Sequence, residues 1–134
     1  MRYFLLAAVF AAALSGASQV KQSPFLRVDR NSSHGEVHLT AINVSQHPIV
    51  AYVVIANSGY HRVVWHGVYT DGDSLGVNSD VKLGNIREDA PAETTKITVD
   101  YVRLADGEAW GKASTEEAKR IAARFQNGAP VRPN

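Results

Sequence analysis

From Glu36 to Val44 apolar and polar residues alternate, with Val37, Leu39 and Ala41 on one side and His38 and Thr40 on the other. A period of two predicts a half-buried strand. Ile49 to Ala56 is apolar on both sides and rich in β-branched residues, which predicts a central strand covered on each face. His61 to Thr70 predicts a third strand, with Val63, Trp65 and Tyr69 on one face and Trp65 as the core tryptophan. Thr95 to Leu104 alternates again with Ile97, Val99 and Tyr101 inward, and the Val102 to Leu104 end changes face, as a bulge would make it do. Turn residues separate these runs: Ser45 to Pro48, Asn57 to Gly59, and the pair Asp106 and Gly107, after which Glu108 to Gly111 returns as a short strand. Between Asp71 and Thr94 the pattern breaks into Gly, Asp, Asn and Pro, predicting a long connection with short strands at Val81 to Leu83 and at Ile86. Residues 19 to 35 read as an extended N-terminal arm whose Phe25 to Val28 piece, following Pro24, adds an edge strand.

After residue 113 the period changes. Ser114 is placed to cap a helix, with Glu117 completing a capping box. Ala118, Ile121, Ala122 and Phe125 follow at helical spacing opposite Lys119, Arg120 and Arg124, and Asn127 with Gly128 ends the helix. Its apolar face has two uses: to cover the doubly apolar strand, or to dock Ile121 and Phe125 on another protein. Five or more strands in hairpin order with one late helix predict a mainly β protein, an immunoglobulin-like antiparallel β-sandwich over 36–113 with a C-terminal helix over 114–127 packed on it and a tail over 128–134. The run Asn43, Val44, Ser45, then Pro48, Ile49, Ala51, Tyr52, together with Asp106, Gly107, Trp110 and Gly111, resembles exported bacterial immunoglobulin-like domains of unknown function. That resemblance covers most of the chain after residue 18. It implies a fold and an exported address, and it carries no catalytic residues across.

The first residues change the picture of where the protein works. Arg2, the apolar run Phe4 to Leu14, and the small residues Ser15, Gly16, Ala17 and Ser18 are the three regions of a secretory signal peptide over 1–18. As a helix that run rises only about 16 Å, too little for a hydrocarbon core of about 30 Å. Cleavage after Ala17 or Ser18 gives a secreted or periplasmic protein. Removing Arg2 also takes the 14 basic residues, set against 13 acidic ones, to parity, so no excess charge steers the chain toward nucleic acid or anionic lipid. The sequence has no cysteine, so packing alone must hold the exported domain together.

Candidate chemistry is sparse, and each candidate has a structural alternative. His34, Glu36 and His38 alternate along a strand and offer up to three ligands to zinc, or are a polar strand edge. Asp71, Asp73, Asn78 and Asp80 crowd oxygen donors suited to calcium into one loop, yet Leu75 and Lys82 stand where the EF-hand needs oxygen ligands, and the same residues make turns. Trp110 and Tyr69 suit a glycan-binding platform or the core. Asp100 with Asp106 or Glu108 is a possible acid pair, and Asn31 and Asn43 begin glycosylation sequons. The sequence contains no His-Glu-x-x-His helix and no cysteine nucleophile. The expectation is a non-catalytic binding or structural module with a protein or glycan partner, and the alternative is a calcium- or zinc-dependent sugar binder or hydrolase.

Overall fold

A computed structural model describes residues 23–33, 35–57, 62–87 and 95–126, the side chains of Ser33 and Arg87 excepted. Among the described residues seven strands form two antiparallel sheets: β1 (Leu26–Ser33), β2 (Glu36–Asn43) and β5 (Asp80–Arg87) in one, and β4 (Arg62–Val68), β3 (Ile49–Asn57), β6 (Lys96–Leu104) and β7 (Ala109–Trp110), in that spatial order, in the other. A helix, α1 (Glu116–Gln126), follows. The N-terminal arm thus supplies a full strand, paired with β2 from Leu26 opposite Asn43 to Ser33 opposite Glu36. Helix-ending residues Asn127 and Gly128 and the ligand candidate His34 lie outside the described residues.

The sheets face each other as a sandwich across one core. Leu26 and Val28 of β1 and Val37, Leu39 and Ala41 of β2 meet Tyr52, Val54 and Ala56 of β3 and Ile97, Val99, Val102 and Leu104 of β6, all buried. Ile49 and Leu75 exchange backbone hydrogen bonds, which lets Leu75 close one end of this core. Trp65 is partly buried and packs on the same core from β4. Its indole reaches across to the opposite sheet and lies over Gly84, where an added Cβ would come within 2.9 Å of Nε1. Gly84 also has φ +152° at a register shift opposite Leu39 and Thr40, so a side chain there is excluded twice over.

The other face of β3 explains the helix. Ala51 and Val53 point away from the inter-sheet core and are covered by Ala118 and Ile121, with Phe125, Ala122, Val64 and Val68 packed around them. The Arg103 guanidinium sits 4.7 Å from the centroid of the Phe125 ring, a cation–π contact that closes the far end of the helix on the sheet. Ile121 is therefore spent on the chain's own sheet, with Phe125 partly buried at the border of the same cluster. Truncating Ile121 to Ala removes buried apolar volume between α1 and β3, so Ile121→Ala should lower unfolding stability by about 2 kcal/mol with little change in the denaturant slope, read by urea titration.

Candidate functional site

Four of the six buried polar residues among those described, Asn43, Ser45, Asp100 and Thr115, gather at two places, and both are fold chemistry. The first is a bulge in β6. Val53 pairs with Tyr101 and Val54 with Val99, which leaves Asp100 as the extra residue. The bulge comes before Tyr101 rather than after it, so Tyr101 turns outward into the cluster beneath the helix, and its expected inward position is corrected. Asp100 is buried, and its two carboxylate oxygens accept four hydrogen bonds: from the Ser114 N–H at 2.9 Å and hydroxyl at 2.8 Å, and from the Thr115 N–H at 2.9 Å and hydroxyl at 2.8 Å. Thr115 Oγ1 in turn accepts from the Ala118 N–H at 3.1 Å, which makes Thr115 the N-cap in place of Ser114. Ser114 is drawn off the helix by the carboxylate, and the expected capping box with Glu117 is shifted out of register.

The segment entering the helix lies directly on the bulge. Ala113 donates its N–H to the Asp100 carbonyl at 2.8 Å. At Gly111, with φ +117°, a Cβ would collide with that same carbonyl oxygen. Burial alone would raise the Asp100 carboxyl, but the four donors outweigh it and hold the group below the usual carboxylate range. The acid pair considered for Asp100 is not assembled: Asp106 accepts from the Glu108 N–H and faces His47 at 3.5 Å, in the turn between β6 and β7.

The second polar cluster is the crossover from β2 to β3. Asn43 is fully buried; its amide donates to the carbonyls of His47 and Leu75, both at 2.9 Å, and its Oδ1 accepts from the Ser45 N–H and hydroxyl. The Ser45 hydroxyl, whose single proton is shared between Asn43 Oδ1 and the His47 carbonyl 2.8 Å away, also accepts from the His47 N–H at 3.2 Å. Asparagine is well suited to this place because it offers two donors and an acceptor on one short side chain. The sequon that begins at Asn43 is thus committed to the core, whereas Asn31 is exposed on the edge strand β1.

The ligand candidates are distributed otherwise. Glu36 and His38 lie on the outer face of β2, and His38 Nδ1 is 2.6 Å from the Asn85 side-chain oxygen on β5. Asp71 and Asn78 take left-handed turn conformations, with φ 55° and 66°. Asp73 donates its N–H to the Thr70 carbonyl, and Asp80 belongs to β5 opposite Ile42. Among the described residues no three His, Cys, Asp or Glu side chains are grouped so as to hold a metal ion. Tyr69 and Trp110 are half-buried against the inter-sheet core. Tyr69 is hydrogen-bonded to Tyr52 with ring centroids 6.4 Å apart, and burial, together with Tyr69, pushes the Tyr52 phenol up to about 12.

The chain matches no family model, no curated protein and no solved structure. Among the described residues no helix is long and apolar enough to cross a membrane.

Because the folded Asp100 sits below its unfolded value, its contribution is complete above about pH 4 and is lost as pH falls through the lower folded value. Unfolding stability should therefore decline on acidification below about pH 4, and Asp100→Asn should cost about 2 kcal/mol at neutral pH while flattening that decline. Denaturant titrations of both proteins between neutral and strongly acidic pH check this. A further expectation concerns Gly111: Gly111→Ala should destabilise by at least about 1 kcal/mol and reduce the helical signal in circular dichroism, because the clash sits where the helix is tethered.

Proposed function

We propose that this chain is exported and that its folded part is an immunoglobulin-like module which acts by binding or structural contact rather than by catalysis. The observation that carries the reading is the use made of the interior polar groups. Asn43, Ser45, Asp100 and Thr115 spend their hydrogen bonds on backbone and on one another, and no buried side-chain N or O among the described residues is left without a partner. Groups poised for chemistry open toward a cleft, whereas the perturbed Asp100 carboxylate is enclosed and taken up by four hydrogen bonds. Strand order supports the immunoglobulin-like part. Hairpin β1–β2 is followed by a crossing to hairpin β3–β4, a return to place β5 beside β2, and a second crossing to place β6 beside β3, the interlocked connectivity of Greek-key sandwiches. Arg2, the apolar run from Phe4 and the small residues Ser15 to Ser18 support export.

Expression of the full chain in a bacterium, followed by mass measurement of the soluble exported product, tests the address; an N-terminus at Ser18 or Gln19 is expected, and retention of Met1 overturns it. On that product the thermal midpoint should be the same with chelator, with calcium and with zinc. A metal-dependent rise in midpoint would instead favour a metal-dependent binder or hydrolase.

A further inference from the structure

The two sheets present four edges, and three carry features that oppose pairing with another chain. Edge β1 bears Arg27, Asp29 and Arg30, with Arg27 paired to Asp29 at 3.0 Å. Edge β5 bears Asp80 and Lys82 and is broken by the register shift at Gly84. Edge β7 is two residues long. Charges, bulges and brevity are the usual protections of a sheet edge. Edge β4 is neither bulged nor short, and its one charged residue, Arg62, stands at its start: the following run Val63, Val64, Trp65, His66, Gly67, Val68, Tyr69, Thr70 contains no Lys, Arg, Asp, Glu or Pro. It pairs with β3 without a shift from Arg62 opposite Asn57 to Val68 opposite Ala51.

The hydrogen-bond phase of this edge is fixed. Tyr69 donates its N–H to the Val50 carbonyl of β3, so the odd-numbered residues of β4 face β3. Arg62, Val64, His66 and Val68 therefore turn their backbone N–H and C=O groups outward, and no described residue meets them. We propose that this edge pairs with the same edge of a second copy, antiparallel about a twofold axis at Trp65, to join two four-stranded sheets into one. In that register Arg62 stands opposite Val68 of the second copy and Val64 opposite its His66. All four outward residues of each chain are used, giving about eight backbone hydrogen bonds.

Charge argues for a second copy as the occupant. Within the pairing no two like charges stand opposite each other, and each Arg62 lies at the end where the other strand runs on into exposed Asp71 and Asp73. The same chain thus supplies a neutral central segment and opposite charges at its two ends. Edge pairing alone buries little surface, so the association is concentration-dependent rather than obligate.

Sedimentation equilibrium of the exported protein from about 5 to about 500 μM should show the mass rising from one chain toward two. His66→Pro removes an outward N–H without touching the β3 ladder, and should weaken the association at least about tenfold while leaving the thermal midpoint nearly unchanged. Should that variant fold poorly, His66→Lys supplies the same test through an edge charge. Amide exchange at Val64, His66 and Val68 should slow as concentration rises. A mass of one chain across the whole range overturns the proposal, as does self-association that His66→Pro and His66→Lys leave intact, or exchange at these amides that ignores concentration.

Discussion

Strand β3 cannot be left with either face in water. Its Tyr52, Val54 and Ala56 side is met by β1 and β2 across the sandwich, and its Ala51 and Val53 side is met by α1. At about 25 cal/mol for each Å² of apolar surface removed from water, an uncovered face of this strand would forfeit several kcal/mol in a protein whose whole margin is of order 10 kcal/mol. The fold is a three-layer answer to that one strand. Covering the outer face requires a helix to arrive at a set place and angle, and the device that delivers it is the Asp100 bulge.

That bulge links three levels of structure. As backbone, it changes the parity of β6, sending Tyr101 to the helix layer and returning Val102 and Leu104 to the inter-sheet core. As a carboxylate, Asp100 receives both donors of Ser114 and of Thr115, ahead of the first helical turn. Through Thr115 it also orders the cap of α1. One residue thus sets where the helix starts, and its own burial is compensated by the segment it fixes.

The sandwich was legible in the sequence because its strands announce themselves by period. Strand β3 fell within one residue of its expected limits at the C-terminal end and began where expected, and the double-sided apolar pattern correctly required an outer cover. Tyr101 was misplaced because a bulge shifts alternation by one without marking which residue is extra, and here the extra residue is a polar one that reads as an ordinary outward position. Local sequence favours Ser114 as the cap, but a partner fourteen residues earlier in the chain takes its hydroxyl. The loop residues Asp71 and Asn78 illustrate the reverse problem, since composition that suits a cation also suits left-handed turns, which both of them make.

The burial of Asn43 reaches beyond the fold. Glycan transfer in a eukaryotic secretory pathway takes place on the nascent chain, before the amide of Asn43 has found the carbonyls of His47 and Leu75. A sugar attached there would have no room in a fully enclosed site and would take away one of the donors that joins the β2–β3 crossover to the loop closing the core. The native state of this chain is therefore compatible only with production routes that leave that asparagine bare, so the choice of host for making it is a structural decision as much as a practical one.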